Sequence, residues 1–327
     1  MNFGSHMHSA FELWARQQEF GTSEAEIEEK VARLLEEEFR KEPTEDGDFR
    51  TLNWALEIYR QHSKRFGQTE YKLMRYKEPQ PCKYCEGRGY NTSEVDGIEI
   101  VNNCLWCNET GRSSIMAEVP FALPLFTYTS KSNTALKPIP VFYHGFVDLP
   151  VVIGEQTFIL DYKTASRLGS GFFEDKKMSA QQKGYCWAFE NLTGIKVAGF
   201  LVRALRTIEP PIYVVKGEAS KKGEFKKIED WWDESIQEER FYLGQGELEE
   251  WRLNTISLVE QFMGHYERDF MPQTGLWGQC VGKYGKCAYF DACSTFPASD
   301  RSLILNSGLY KQKASNANLI PAKSEEA

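Results

Sequence analysis

HGFVDLPVVIGEQTFILDYKTAS, residues 144–166, decides how this chain is read. Two runs rich in Val, Ile, Leu and Phe flank Gly154-Glu155, a pair suited to a tight turn between strands. Each run carries an acid that is costly to bury alone: Asp148 in the first strand and Asp161 in the second, with Lys163 two residues further on. If the runs form a hairpin, Asp148 lies six residues before the turn and Asp161 six after it, so the two carboxylates meet side by side. Alternation along a strand then puts Asp161 and Lys163 on one face. A satisfied ion pair at a strand end is the structural reading of this pattern. The chemical reading is a site for phosphodiester hydrolysis. Its carboxylates hold one or two Mg²⁺ or Mn²⁺ ions, which polarise the phosphate and lower the pKa of an attacking water. The lysine orients that water and offsets charge in the transition state.

Working outward, helical periodicity dominates up to about residue 67. SEAEIEEKVARLLEEEFRKE, residues 23–42, spaces Ile27, Val31, Leu34 and Leu35 for one helix face, with Ser23 as N-cap and Glu26 closing a capping box. TLNWALEIYRQHSKRF, 51–66, is a second amphipathic helix. Residues 114–126, 139–153 and 156–162 read as strands, 178–194 as a helix closed by Gly194, and 196–205 as another strand. PIYVV, 211–215, begins a further strand or hairpin, and 246–269 form a long helix. The order predicts an α/β (α+β) fold, a mixed sheet flanked by helices with additions. No internal repeat is evident.

GFVD, ILDYKT and QQKGY, in that order, resemble the PD-(D/E)XK nuclease superfamily, closest to its RecB-like branch of phage-encoded and CRISPR-associated exonucleases. Gly145 with Asp148, Asp161 with Lys163, and Gln181 with Tyr185 fit that family's three motifs. The resemblance implies a restriction-endonuclease-like core, metal-dependent cleavage of DNA, and a helix bearing Gln181 and Tyr185 beside the active site. Gln182 is the alternative to Gln181, one register away. The family's further acid falls on Glu118, as a third metal ligand. Its histidine is expected earlier in the chain, on a helix, which leaves His144 a weaker candidate.

The cysteines divide into clusters. Cys82, Cys85, Cys104 and Cys107 form C-x2-C-x18-C-x2-C, the spacing of two knuckles that bind Zn²⁺ through four thiolates. Stapling the insert is one role for such a site, and gripping DNA or a partner is another. Cys280, Cys287 and Cys293 resemble the C-terminal cysteines with which RecB-like nucleases bind a [4Fe–4S] cluster, and Cys186 is the one cysteine left to complete it. A three-cysteine zinc site or buried structural thiols are the alternatives.

A net charge of −8 argues against a nucleic-acid partner until its distribution is seen. Residues 23–49 hold eleven acids and four bases, so the remainder is close to neutral. Basic candidates for phosphate contacts are Lys176-Lys177, Arg203, Arg206 and the 220–227 turn, and Trp231 and Trp232 are candidates for stacking or core packing. No apolar run approaches the roughly 20 residues that span a bilayer, and no secretory leader is visible, so a cytoplasmic protein is expected. The predicted organisation is a cloning remnant at 1–7 (GSHM at 4–7), a helical region at 8–79 and a zinc-ribbon insert at 80–112. The nuclease core follows at 113–270, a Cys-rich region at 271–300, and a tail at 301–327 expected to be largely disordered. The expected activity is an exonuclease of phage or bacterial recombination and repair, with DNA and other repair proteins as partners. An endonuclease or a non-catalytic DNA-binding scaffold on the same fold is the alternative.

Overall fold

The structure, a computed structural model, describes residues 3–44, 48, 50–67, 71–95, 98–130, 137–169, 171–221, 223, 226–244, 246–267, 281–282 and 285–286. It divides into two compact units, Met1–Phe121 with Gly145–Trp251, and Ala122–His144 with Arg252–Ala327.

Three helices lead: α1 (Phe3–Glu19), α2 (Glu24–Lys41) and α3 (Leu52–Phe66). The capping box at the start of α2 is present: Ser23 Oγ accepts from the Glu26 N–H, and the Glu26 carboxylate accepts from Ser23 N. The GSHM run, read from sequence as a cloning remnant, lies inside α1, with His6 and Met7 buried behind Phe3. These apolar residues, with Phe11 and Trp14, face Ile27, Val31 and Leu35 of α2 and Ile58 and Tyr59 of α3 in one core.

Short strands follow: β1 (Lys72–Leu73), β2 (Arg75–Pro81), β3 (Tyr90–Val95), β4 (Ile98–Asn103), β5 (Arg112–Ile115), β6 (Val119–Tyr128), β7 (Ile139–Val147), β8 (Leu149–Ile153) and β9 (Gln156–Ala165). Then come α4 (Gly171–Lys177), α5 (Ala180–Thr193), β10 (Val197–Arg206), α6 (Ile212–Val215), α7 (Ile228–Ser235), β11 (Ile236–Tyr242), α8 (Glu247–Glu267), β12 (Val281–Gly282) and β13 (Gly285–Lys286). The central sheet has the order β1-β8-β9-β10-β11, with β9 and β10 parallel and the other pairs antiparallel. The predicted hairpin is β8–β9: Ile153 pairs Gln156, Leu149 pairs Leu160, and Gly154 takes the left-handed φ of +61° that the turn requires. α5 supplies the crossover from β9 to parallel β10, closing on Gly194 at φ +74°.

Side chains alternate across this sheet. Phe158, Leu160 and Tyr162 join Leu201 and Leu205 in the core that α1 and α3 cover. Asp161 turns the other way, where α5 lies.

Two strand predictions break at acids. Residues 114–126 divide into β5 and β6, with Glu118 in the gap. Residues 139–153 divide at Asp148, which is therefore not within a strand: β7 is a partner of β6, whereas β8 joins the central sheet. PIYVV is not a strand either. Pro211, at φ −57°, caps the short helix α6 and its carbonyl accepts from the N–H groups of Val214 and Val215.

In the second unit, β6 and β7 run side by side, Ser130 Oγ donates to Glu267 Oε2 at 2.8 Å, and β12 pairs with β13. Cys280, Cys287 and Cys293 lie outside the described residues, as does the tail.

Candidate active site and four-cysteine centre

Asp161 sits near the middle of β9, level with Val202 of β10, and is 1% exposed. Its Oδ2 accepts from Gln182 Nε2 and lies 2.9 Å from Lys163 Nζ. Its Oδ1 is buried and, among the described residues, has no donor to receive from. An orphaned carboxylate oxygen of this kind calls for a cation.

Asp148 faces it from the break before β8. Burial, with the Asp161 carboxyl beside it, raises the pKa of Asp148 to about 7, against the hydrogen bond from His8. Glu118 comes from the other break. Its φ of +50° is strained for a residue with a side chain, and its N–H donates to the Asp148 carbonyl at 2.7 Å.

His8 completes the group, and it is the residue that sequence reasoning missed. It projects from the first turns of α1, with Nδ1 3.2 Å from Glu118 Oε1 and Nε2 3.3 Å from Asp148 Oδ2. Burial opposes a charge on His8, but its hydrogen bonds to Asp148 and Glu118 outweigh burial and raise its pKa to about 10. For Glu118 too burial disfavours the charge, and His8 outweighs it, holding the carboxyl below its usual range. The helical spacing of Phe3, Met7, Phe11 and Trp14 was the available signal, because it marks a helix with His8 beside its buried stripe. His144, the weaker candidate, is exposed on β7.

His8, Asp148 and Asp161 bring one ligand atom each within 4.8 Å of one another. Two carboxylates and an imidazole are a donor set that Mg²⁺ and above all Mn²⁺ accept. Lys163 Nζ donates to Gln181 Oε1 at 3.0 Å, and Gln181 Nε2 donates to Tyr185 Oη at 2.8 Å. Both glutamines that competed in the sequence are therefore used: Gln181 holds the lysine and Gln182 holds the aspartate. Burial, with Asp148 nearby, raises the Tyr185 pKa to about 12, so its hydroxyl stays protonated. His8, Glu118, Asp148, Asp161, Lys163 and Gln181 line an open cleft of about 530 Å³.

A scan against protein families matches this chain over residues 1–294 to the PD-(D/E)XK nuclease superfamily. The chain belongs to that superfamily. The mixed sheet with flanking helices is thus a restriction-endonuclease-like core, and the PD-(D/E)XK family is one of metal-dependent nucleases. No curated protein and no solved structure matches the chain.

The four-cysteine insert of this PD-(D/E)XK chain is a small pseudo-symmetric body. Residues 82–89 and 104–111 repeat one another locally, although no repeat is evident from sequence. Gly87 N–H donates to the Cys82 carbonyl as Glu109 N–H does to Cys104, and Cys82 N–H donates to the Gly111 carbonyl as Cys104 N–H does to Gly89. Glu86 and Asn108 share the left-handed region at φ 53° and 50°, and Gly89 and Gly111 lie there at 83° and 69°. A Cβ on Gly111 would meet the Gly87 carbonyl oxygen at 2.2 Å, and one on Gly89 would meet that of Glu109 at 2.4 Å. Tyr84 and Trp106 stack across the pair at 3.9 Å. The thiols are free and buried, with Sγ atoms 3.9 Å apart for Cys82–Cys104 and 3.7 Å for Cys85–Cys107. Tetrahedral metal–sulfur bonds of about 2.3 Å put thiolates about 3.8 Å apart, so the four fit Zn²⁺ or an iron ion.

Cys186 lies on α5, fully buried, with Sγ against the Gly199 carbonyl, and burial pushes its thiol pKa up. Of the basic candidates, Arg203 is not available to phosphate. It is 1% exposed, lies over the Phe66 ring, and pairs with Glu238 at 2.7 Å and with His62 at 3.1 Å. Trp231 is core and Trp232 stacks on Trp54. Lys176 pairs with Asp175 at the end of α4. No helix of the described residues is long and apolar enough to cross a membrane.

Proposed function

We propose that this PD-(D/E)XK protein is a metal-dependent DNA exonuclease of the RecB-like branch, acting in phage or bacterial recombination and repair. The observation that carries the catalytic reading is the clustering of His8, Asp148 and Asp161, one ligand atom each within 4.8 Å, with Lys163 alongside and an Asp161 oxygen that has no donor among the described residues. A bound Mg²⁺ or Mn²⁺ supplies Lewis acidity toward a phosphate oxygen and lowers the pKa of the attacking water. Asp161, Asp148 and His8 would hold the cation, and Glu118 would complete or orient the set through His8. Lys163, fixed between Asp161 and Gln181, orients the attacking water and meets the charge that builds on the phosphate. Tyr185 fixes Gln181, and Gln182 fixes Asp161.

The exonuclease assignment rests on the resemblance of GFVD, ILDYKT and QQKGY, in that order, to the RecB-like branch. With it come DNA as substrate, other recombination or repair proteins as partners, and a cytoplasmic setting. Zn²⁺ on Cys82, Cys85, Cys104 and Cys107 is the structural metal of this reading. A [4Fe–4S] cluster on Cys280, Cys287, Cys293 and Cys186 is its second cofactor.

End-labelled linear and closed circular DNA incubated with Mn²⁺, wild type against Lys163→Ala, tests the reading. Loss of label from linear DNA alone, abolished in the variant, is expected. Cutting of circles identifies an endonuclease of the same superfamily instead. If wild type cuts neither while binding both, the protein is a scaffold on a nuclease fold.

A further inference from the structure

The cleft beside the acids has a wall that the core does not supply. Lys83 and Tyr84, the two residues between the first pair of cysteines, line it together with Glu12, Glu118 and Asp161. A C-x2-C knuckle fixes the backbone on both sides of whatever stands between its cysteines. The direction of Lys83 is therefore set by the insert.

That direction is anchored to α1 as well. Tyr84 Oη donates to Glu12 Oε2 at 2.7 Å, and Arg16 Nε donates to the other oxygen of Glu12 at 2.9 Å. Gln17 Nε2 donates to the Leu105 carbonyl at 2.6 Å, and Lys30 Nζ to Asn108 Oδ1 at 3.0 Å, so both knuckles are tied to the helices. The helix held in this way is the one that carries His8, one turn before Glu12.

The cations of the cleft differ in what they have left to give. His8 is engaged by Glu118 and Asp148, and Lys163 by Asp161 and Gln181. Among the described residues, the one ion pair of Lys83 is a long one, 3.9 Å, to Glu12, and its side chain is 42% exposed, with Nζ over the Tyr84 ring at 4.7 Å. A lysine on a fixed backbone, its side chain 42% exposed and lining a cleft that also holds the carboxylates of Glu12, Glu118, Asp148 and Asp161, is placed to meet a polyanion. Without it those carboxylates would repel the strand they are meant to cut.

We propose that Lys83 contacts a backbone phosphate of the bound nucleic-acid strand, which makes the four-cysteine insert part of the substrate-binding wall as well as a staple. The proposal rests on the nuclease reading and names a substrate contact for it. Lys83 is a binding residue in this account, and the reacting atoms belong to the other wall.

The test is fluorescence anisotropy of a labelled DNA strand in Ca²⁺ across a salt series, with Lys83→Gln and Lys83→Arg. Lys83→Gln removes the charge that lies over the Tyr84 ring and leaves a shorter polar side chain. It is expected to raise Kd roughly tenfold whatever the DNA sequence, and to lower the slope of log Kd against log salt by about 1. Lys83→Arg restores both. In Mn²⁺ kinetics KM rises and kcat at saturating DNA holds. Wild-type Kd and salt slope in Lys83→Gln would overturn this proposal and leave the nuclease reading standing, as would a fall in kcat at unchanged KM. Wild-type protein that fails to bind DNA overturns both.

Discussion

The backbone N–H of Glu118 donates to the backbone carbonyl of Asp148 at 2.7 Å, and through that bond two interruptions in the strands become neighbours. Each acid sits where its chain leaves one sheet for another, and neither belongs to a strand. An interruption frees the residue from the up-and-down alternation of a ladder, so its carboxylate can be aimed at need. Glu118 is aimed with a left-handed backbone, which costs about 1–2 kcal/mol in a residue bearing a Cβ.

Glu118→Gly is therefore expected to separate stability from function. Removing the Cβ relieves the backbone and should leave Glu118→Gly about 1 kcal/mol more stable than Glu118→Gln, which loses the same charge, while activity in Mn²⁺ falls at least roughly tenfold. Glu118→Gln keeps the strain and loses activity without the gain. Denaturant melts alongside the nuclease assay check this, and a Gly variant less stable than the Gln variant would refute the strain argument.

His8 and Asp148 hold protons more tightly in the folded metal-free protein than in the unfolded chain. Their pKa values stand at about 10 against 6.5 and about 7 against 3.8. Such groups favour the fold at low pH, and that contribution is lost as pH rises, between 3.8 and about 7 for Asp148 and between 6.5 and about 10 for His8. A divalent cation takes the place of those protons, so its stabilisation should grow across the same windows. The rise in Tm on adding Mn²⁺ is expected to be larger at about pH 9 than at about pH 6. His8→Gln should flatten the difference, and a pH-independent rise in wild type would remove His8 from the ligand set.

Gln181 and Gln182 are adjacent but should fail differently. Gln182→Ala strips a donor from buried Asp161, so Mn²⁺ affinity should fall about 10–100-fold, with a loss of about 1–3 kcal/mol in stability. Gln181→Ala frees Lys163 and should lower kcat with Mn²⁺ affinity unchanged. Calorimetric titration with Mn²⁺ and steady-state kinetics distinguish the two, and identical profiles would show that the division of labour is mistaken.

For the four-cysteine centre, metal analysis should find one Zn²⁺ per chain lost in Cys104→Ser. Gly111→Ala should lose it as well, because a Cβ at φ +69° would lie 2.2 Å from the Gly87 carbonyl oxygen. Full metal content in Gly111→Ala would mean that the knuckles do not need to approach so closely.

The hairpin and the helix after it were legible because their signals are local. Gly154 sets the turn, alternation sets the register that brings Asp161 level with Lys163's face, and a four-residue spacing puts Gln181 and Tyr185 on one turn of α5. What escaped depends on partners far away in sequence. Arg203 reads as a free cation until Glu238 and His62, 35 and 141 residues distant, close around it. The breaks at Glu118 and Asp148 exist because β5 and β6, like β7 and β8, pair with different strands, and no propensity scale records a change of partner. PIYVV has strand composition, but the fixed φ of Pro211 starts a helical turn that four β-branched and aromatic residues follow. His8 was hidden by a neighbouring GSHM run that resembles a remnant.

The separation of His8 from Asp161 along the chain also orders events during synthesis. α1 leaves the ribosome about 150 residues before β9 does, a delay of roughly 10–30 s at typical elongation rates. Through that interval the histidine has no acids to face. The nascent chain therefore cannot bring His8, Asp148 and Asp161 together until the hairpin has emerged and closed, and a truncated product ending before residue 161 should show no cleavage of nucleic acid.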